Sequence, residues 1–123
     1  MGNKILIVDD EPNIILMVST RLKANGYEII SAGDGQAGFE MAQKEKPDLI
    51  ILDLMLPKMD GYKVCGFLKR DYRYAKIPVV IFSAKAQPED IKLAEEMGAN
   101  AFMSKPFRPE DLLAKIRELI PSV

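Results

Sequence analysis

Three runs of four apolar, mostly β-branched residues constrain this chain most: Ile5-Leu-Ile-Val8, Leu49-Ile-Ile-Leu52 and Val79-Val-Ile-Phe82. A strand with one wet face alternates apolar and polar residues. A continuously apolar strand must be covered on both faces, which is the position of a parallel strand between two helical layers. A fourth run, Ala101-Phe-Met103, is less clear, and helical patterns fill the intervals. The sequence predicts strands near 4–8, 27–32, 48–53, 78–83 and 101–104, with helices near 12–25, 36–45, 61–70, 88–97 and 109–119. In the last helix, Leu112, Leu113, Ile116, Leu119 and Ile120 form a stripe suited to docking on a sheet. Pro109, Glu110 and Asp111 mark its start and Pro121 its stop, while Gly26 and Gly98 stand where left-handed caps end helices. Five βα units imply a right-handed, doubly wound α/β sandwich, (βα)5, with a five-stranded parallel sheet.

The 123 residues suit one domain, expected to run from 1 to 123 as a single module. A net charge of −1 and the lack of a basic tract argue against direct nucleic-acid binding. No apolar run reaches membrane-spanning length, and no secretory leader is expected before the first strand. The single cysteine, Cys65, has no internal partner, which suits a reducing cytoplasm, the expected location. Histidine is absent, so any phosphohistidine must come from another protein.

Asp9, Asp10, Asp53, Ser83 and Lys105 each lie at or just beyond the C-terminal end of an apolar run. Those ends share one edge of an open parallel sheet, where ligands bind. Taken singly, an acidic pair after a strand reads as a helix cap, and Ser83 or Lys105 as a turn residue. Together they suit a divalent cation and a phosphoryl group. Crowded carboxylates repel, and Mg²⁺ takes one or two carboxylates plus a phosphate while keeping several waters. An aspartate can act as nucleophile toward phosphorus, with Lys105 and the Ser83 hydroxyl receiving phosphoryl oxygens.

Lys4-Ile-Leu-Ile-Val-Asp-Asp10, Pro47-Asp-Leu-Ile-Ile-Leu-Asp53, Met59-Asp-Gly61, Pro78-Val-Val-Ile-Phe-Ser-Ala84 and Lys105-Pro-Phe107 together resemble the signature blocks of bacterial two-component response-regulator receiver domains, including chemotaxis-type regulators. The resemblance implies a flavodoxin-like sheet of strand order 2-1-3-4-5, an arrangement for which a receiver domain is itself a standard illustration. It implies that Asp53 is the phosphoacceptor, and that Asp9, Asp10, Asp53 and the Met55 carbonyl hold Mg²⁺. Ser83 would be the hydroxyl switch residue, Lys105 the partner of the phosphoryl group, and Phe102 the aromatic that turns inward. A cis bond before Pro106 would aim Lys105 at the site. The implied donor is a sensor histidine kinase or histidine phosphotransferase. Output would leave through the fourth helix, fifth strand and fifth helix, to a downstream effector or a homodimer. Beyond its own phosphorylation and slow dephosphorylation, no enzyme activity is expected. Ile91, Leu93, Ala94 and Met97 give the fourth helix more apolar cover than one buried stripe needs.

Other readings are weaker. Gly33-Asp34-Gly35-Gln36-Ala37-Gly38 has the literal spacing of a dinucleotide-binding loop, but it follows the second strand and sets Asp34 against the pyrophosphate. A turn whose glycines supply positive φ is the better account. Gly38 would loosen its helix by up to about 1 kcal/mol. Asp9-Asp10-Glu11 would repel a flavin phosphate. An aspartate-nucleophile phosphatase would want an acid where Met55 stands, and a receiver that never takes phosphate would have no need of all five site residues.

Overall fold

A computed structural model describes residues 3–120; Pro121, expected to stop the last helix, lies outside them. The elements alternate strictly: β1 (Lys4–Val8), α1 (Pro12–Ala24), β2 (Glu28–Ala32), α2 (Gly35–Glu45), β3 (Leu49–Asp53), α3 (Gly61–Arg70), β4 (Val79–Ser83), α4 (Pro88–Glu96), β5 (Ala101–Ser104) and α5 (Pro109–Leu119). The five strands are parallel and ordered β2-β1-β3-β4-β5, the flavodoxin-like arrangement.

Successive residues of a strand point to opposite faces, and the apolar runs therefore divide between two cores. Leu6, Val8, Ile50, Leu52, Val79 and Ile81 pack on one face with Ala42 of α2, Val64, Cys65 and Leu68 of α3 and Ala94 of α4. Ile5, Ile7, Leu49, Ile51, Val80 and Phe82 pack on the other with Val18 and Leu22 of α1 and Leu112, Leu113 and Ile116 of α5. Complete burial from end to end holds for β3 and β4, and for β1 after Lys4. The outer strands differ because each has only one neighbour: Glu28 and Ser31 of β2 are exposed, and residues 101–103 of β5 are half-buried. On α4, Ala94 is buried, Ile91 and Met97 are half-buried, and Leu93 stays exposed.

Gly26 (φ 91°) and Gly98 (φ 94°) end α1 and α4 as expected. The loop before α2 corrects the sequence expectation, because neither Gly33 nor Gly35 has positive φ. Asp34 caps α2 by accepting the Ala37 N–H at 2.7 Å. Gly35 is needed for space instead: a Cβ there would run into the Met59 carbonyl. Gly38 also serves packing, since its Cβ would stand 2.7 Å from a Val8 methyl. The small residue lets α2 lie close on β1, which offsets its low helix propensity.

Candidate functional site

The C-terminal ends of β1, β3 and β4 and the loop after β5 bring all five residues singled out in the sequence to one sheet edge. Parallel register sets Val8 beside Leu52, Asp53 beside Phe82 and Ser83 beside Ser104, so the residues just beyond the strands meet. Asp9 is fully buried; its Oδ1 accepts the Glu11 N–H at 2.8 Å. Asp53 is also buried, and its Oδ1 accepts the Met55 N–H at 3.2 Å. Lys105 comes from the loop after β5, where its N–H donates to the Ser83 carbonyl at 2.8 Å and the bond to Pro106 is cis.

The Lys105 ammonium donates to Asp9 Oδ2 and to Asp53 Oδ2, each at 3.1 Å, with Glu11 Oε1 at 3.5 Å. It also stands 4.7 Å from the centre of the Phe82 ring. Burial works against this charge, but the hydrogen bonds to Asp9 and Asp53 hold the ammonium above its usual pKa. Asp9 moves up from the ordinary aspartate value because burial outweighs the help of the Glu11 N–H and Lys105.

Carboxylate oxygens of Asp9, Asp10, Glu11 and Asp53 all lie within 4.8 Å of one another, two buried and two exposed. Four carboxylates against one ammonium leave an excess of negative charge, and the hard oxygen donors fit a hard divalent cation. The Asp10 and Glu11 side chains open onto a cleft of about 320 Å³ that Asp53, Met55, Ser83 and Lys105 also line. Glu11 is the member of this cluster that sequence reasoning did not assign to the metal; its place directly after the acidic pair was the available signal. Ser83 is fully buried, with its Oγ accepting the Lys85 N–H at 3.0 Å. Met55 projects its side chain outward, 63% exposed, at the rim. Phe102 is half-buried against the α2–α3–α4 core.

Two glycines hold the loop after β3 in place, a role the sequence did not disclose. Gly61 donates to the Leu54 carbonyl at 2.9 Å, and a Cβ on it would collide with the Asp53 carbonyl. Gly35 donates to the Pro57 carbonyl at 3.1 Å. α3 thus presses directly on the Asp53 and Leu54 backbone, and α2 on the loop from Pro57 to Met59 that follows it.

Fold and site define a doubly wound α/β module with an acidic, lysine-centred cleft at the ends of its strands. Residues 5–117 match the response regulator receiver domain family, and the chain belongs to that family. It is 40% identical over 120 residues to the alkaline phosphatase synthesis transcriptional regulatory protein PhoP of Bacillus subtilis, covering 98% of this chain and 49% of PhoP. It is 45% identical over 117 residues to the DNA-binding dual master transcriptional regulator RpaA of Synechocystis, covering 95% of this chain and 48% of RpaA. The chain therefore spans about half the length of these curated relatives. Among solved structures, the chemotaxis response regulator CheY4 of Vibrio cholerae superposes with a TM-score of 0.91 at 32% identity, covering 98% of this chain and all of that one. No helix among the described residues is long and apolar enough to cross a membrane.

Proposed function

We propose that this receiver domain accepts a phosphoryl group on Asp53 from the phosphohistidine of a sensor histidine kinase or histidine phosphotransferase. One Asp53 carboxylate oxygen attacks phosphorus, the P–N bond to the donor imidazole breaks, and that nitrogen keeps the electron pair. The chain's task is positioning and charge neutralisation, which is most of what phosphoryl transfer asks of a protein. Lys105 moves from the Asp53 carboxylate to a phosphoryl oxygen, and the Ser83 hydroxyl donates to another. Asp9, Asp10, Asp53 and the Met55 carbonyl would hold Mg²⁺, with Glu11 close enough to orient its waters. When bound, the cation neutralises charge on the phosphoryl oxygens. The observation that carries this reading is the Lys105 ammonium, shared at 3.1 Å between the Asp9 and Asp53 carboxylates, in a cleft that Ser83 also lines.

The switch follows from what Ser83 holds. Its Oγ anchors the loop into α4 through the Lys85 N–H, so turning the hydroxyl toward a phosphoryl oxygen disturbs the path to α4. Phe102 of β5 would move inward in response. The resulting change would be read on α4, β5 and α5, where Leu93 is exposed, by a downstream effector or a second copy. We place this activity in the cytoplasm, as self-phosphorylation and slow self-dephosphorylation, with no direct contact to nucleic acid.

The test is intact mass after incubation with Mg²⁺ and a small acyl phosphate. One added phosphoryl mass is expected, lost in Asp53→Asn with the fold retained. A mass shift persisting in that variant would refute the assignment.

A further inference from the structure

Among the described residues, Asp90 is the buried carboxylate that the proposed chemistry does not use. It lies in the first turn of α4, 5% exposed. Its Oδ2 accepts the Gln87 N–H at 3.0 Å. The Tyr62 hydroxyl stands 3.2 Å from the Asp90 carbonyl and 3.4 Å from its Oδ1. Burial and then the Asp90 charge push the Tyr62 phenol above its usual pKa, so it remains a donor. A buried carboxylate served only by neutral donors still lacks a countercharge. Lys85 supplies one, with its Nζ 3.5 Å from Oδ1.

Lys85 is also two residues beyond Ser83, to whose Oγ its own N–H is bonded. Its side chain, 61% exposed, flanks a groove of about 540 Å³ that shares Asp10 and Met55 with the phosphoacceptor cleft. A lysine ammonium is a compact charge on a flexible four-carbon stem. From this position it has Asp90 at 3.5 Å and shares its groove with two more carboxylates, Asp60 and Asp10 of the acidic cluster. We infer that Asp90 is a positioning residue that draws the Lys85 ammonium onto the first turn of α4 and away from the cleft, and so sets how long a phosphoryl group on Asp53 survives. This rests on the phosphoacceptor reading given above.

Hydrolysis requires a water in line with the bond to be broken. The water oxygen bonds to phosphorus, the Asp53 oxygen leaves with its electron pair, and the water proton departs with the phosphate. An ammonium released into the cleft would occupy the water's approach and hold a phosphoryl oxygen. It would also oppose a divalent cation at the cluster.

The experiment is a cycle of parent, Lys85→Ala, Asp90→Asn and the double variant. Asparagine can keep its one side-chain oxygen on the Gln87 N–H, while the Tyr62 hydroxyl still donates to the backbone carbonyl at position 90 and can accept from the amide NH2. The charge that attracts Lys85 is removed. Asp90→Asn should lengthen the phospho-Asp53 half-life about threefold and weaken Mg²⁺ binding by a similar factor, the size of one partly exposed charge contact. Both effects should disappear in the Lys85→Ala background. Equal effects with and without Lys85 would assign Asp90 a merely structural part and overturn the inference, as would a shortened half-life. The Mg²⁺ titration needs no phosphorylation. A chain that never takes a phosphoryl group would therefore sink the functional reading, while the titration still decides the role of Asp90.

Discussion

The Lys105 ammonium and the Asp53 carboxylate meet at 3.1 Å, although 52 residues separate them in the chain. Lys105 is mostly buried, with 13% of its side chain exposed, and Asp9 receives the same ammonium at the same distance. One cation thus compensates two buried anions.

Lys105→Ala should therefore destabilise the metal-free protein by about 3 kcal/mol, the cost of leaving buried charge unpaired. Mg²⁺ should restore much of it, because a divalent cation replaces the missing countercharge. Urea melts of parent and variant, each with and without Mg²⁺, provide the check. A Mg²⁺ stabilisation no greater in the variant than in the parent would count against the ion-pair account.

Asp10 has no hydrogen bond or ion pair among the described contacts and faces solvent. Asp10→Ala should leave metal-free stability equal or slightly raised, within about 0.5 kcal/mol, because a repelling charge is removed. Its Mg²⁺ affinity should fall at least tenfold. Isothermal titration at fixed ionic strength measures both parent and variant, and unchanged affinity would remove Asp10 from the metal set.

The two glycines on either side of Asp34, the cap of α2, should behave oppositely. Gly33 has open space around its missing Cβ and no positive φ, so Gly33→Ala should be neutral or stabilising by about 0.5 kcal/mol. Gly35→Ala would drive a methyl into the Met59 carbonyl, against backbone that cannot yield cheaply. We expect a loss of about 2–3 kcal/mol and displaced amide resonances from Leu54 to Asp60. Similar melting curves for the two variants would contradict this packing.

Cys65 is fully buried, and burial pushes its thiol up to about 11, against the pull of Lys69. The folded protein holds this proton more tightly than the unfolded chain does. The thiol's contribution is therefore complete below pH 9 and lost as pH rises from 9 toward 11, by about 2–3 kcal/mol. Lys69, whose pKa is lowered chiefly by burial, works in the opposite sense in alkali, so the parent must be compared with Cys65→Ala. The stability difference between the two, parent minus variant, should shrink between pH 8 and pH 10.5. A constant difference would mean that the thiol does not titrate as its burial implies.

Much of the fold was legible in the chain because its pattern is local. The apolar runs 5–8, 49–52 and 79–82 and the amphipathic stripe of α5 each announce their own element. The acidic pair, Asp53, Ser83 and Lys105 were legible for a related reason: each closes or follows a strand, and parallel strands deliver their ends to one edge. Exposed edges were harder to read. Ile29 and Ile30 look like core residues in sequence, yet β2 has one neighbour and leaves them half-buried.

What the sequence alone determined is the order of the elements, their parallel sheet and which residues gather at its edge, since these follow from side-chain type and spacing; the strand order was expected from the family resemblance. Only the tertiary structure decided which carboxylates Lys105 holds, that Glu11 joins the acidic cluster, and that Gly35 and Gly61 back the Asp53 loop. It also decided that Lys85 turns toward Asp90, a residue no strand end announces. These outcomes depend on distances between segments far apart in the chain. Close approach, burial and competition for one ammonium exist only once the helices are pressed against the sheet.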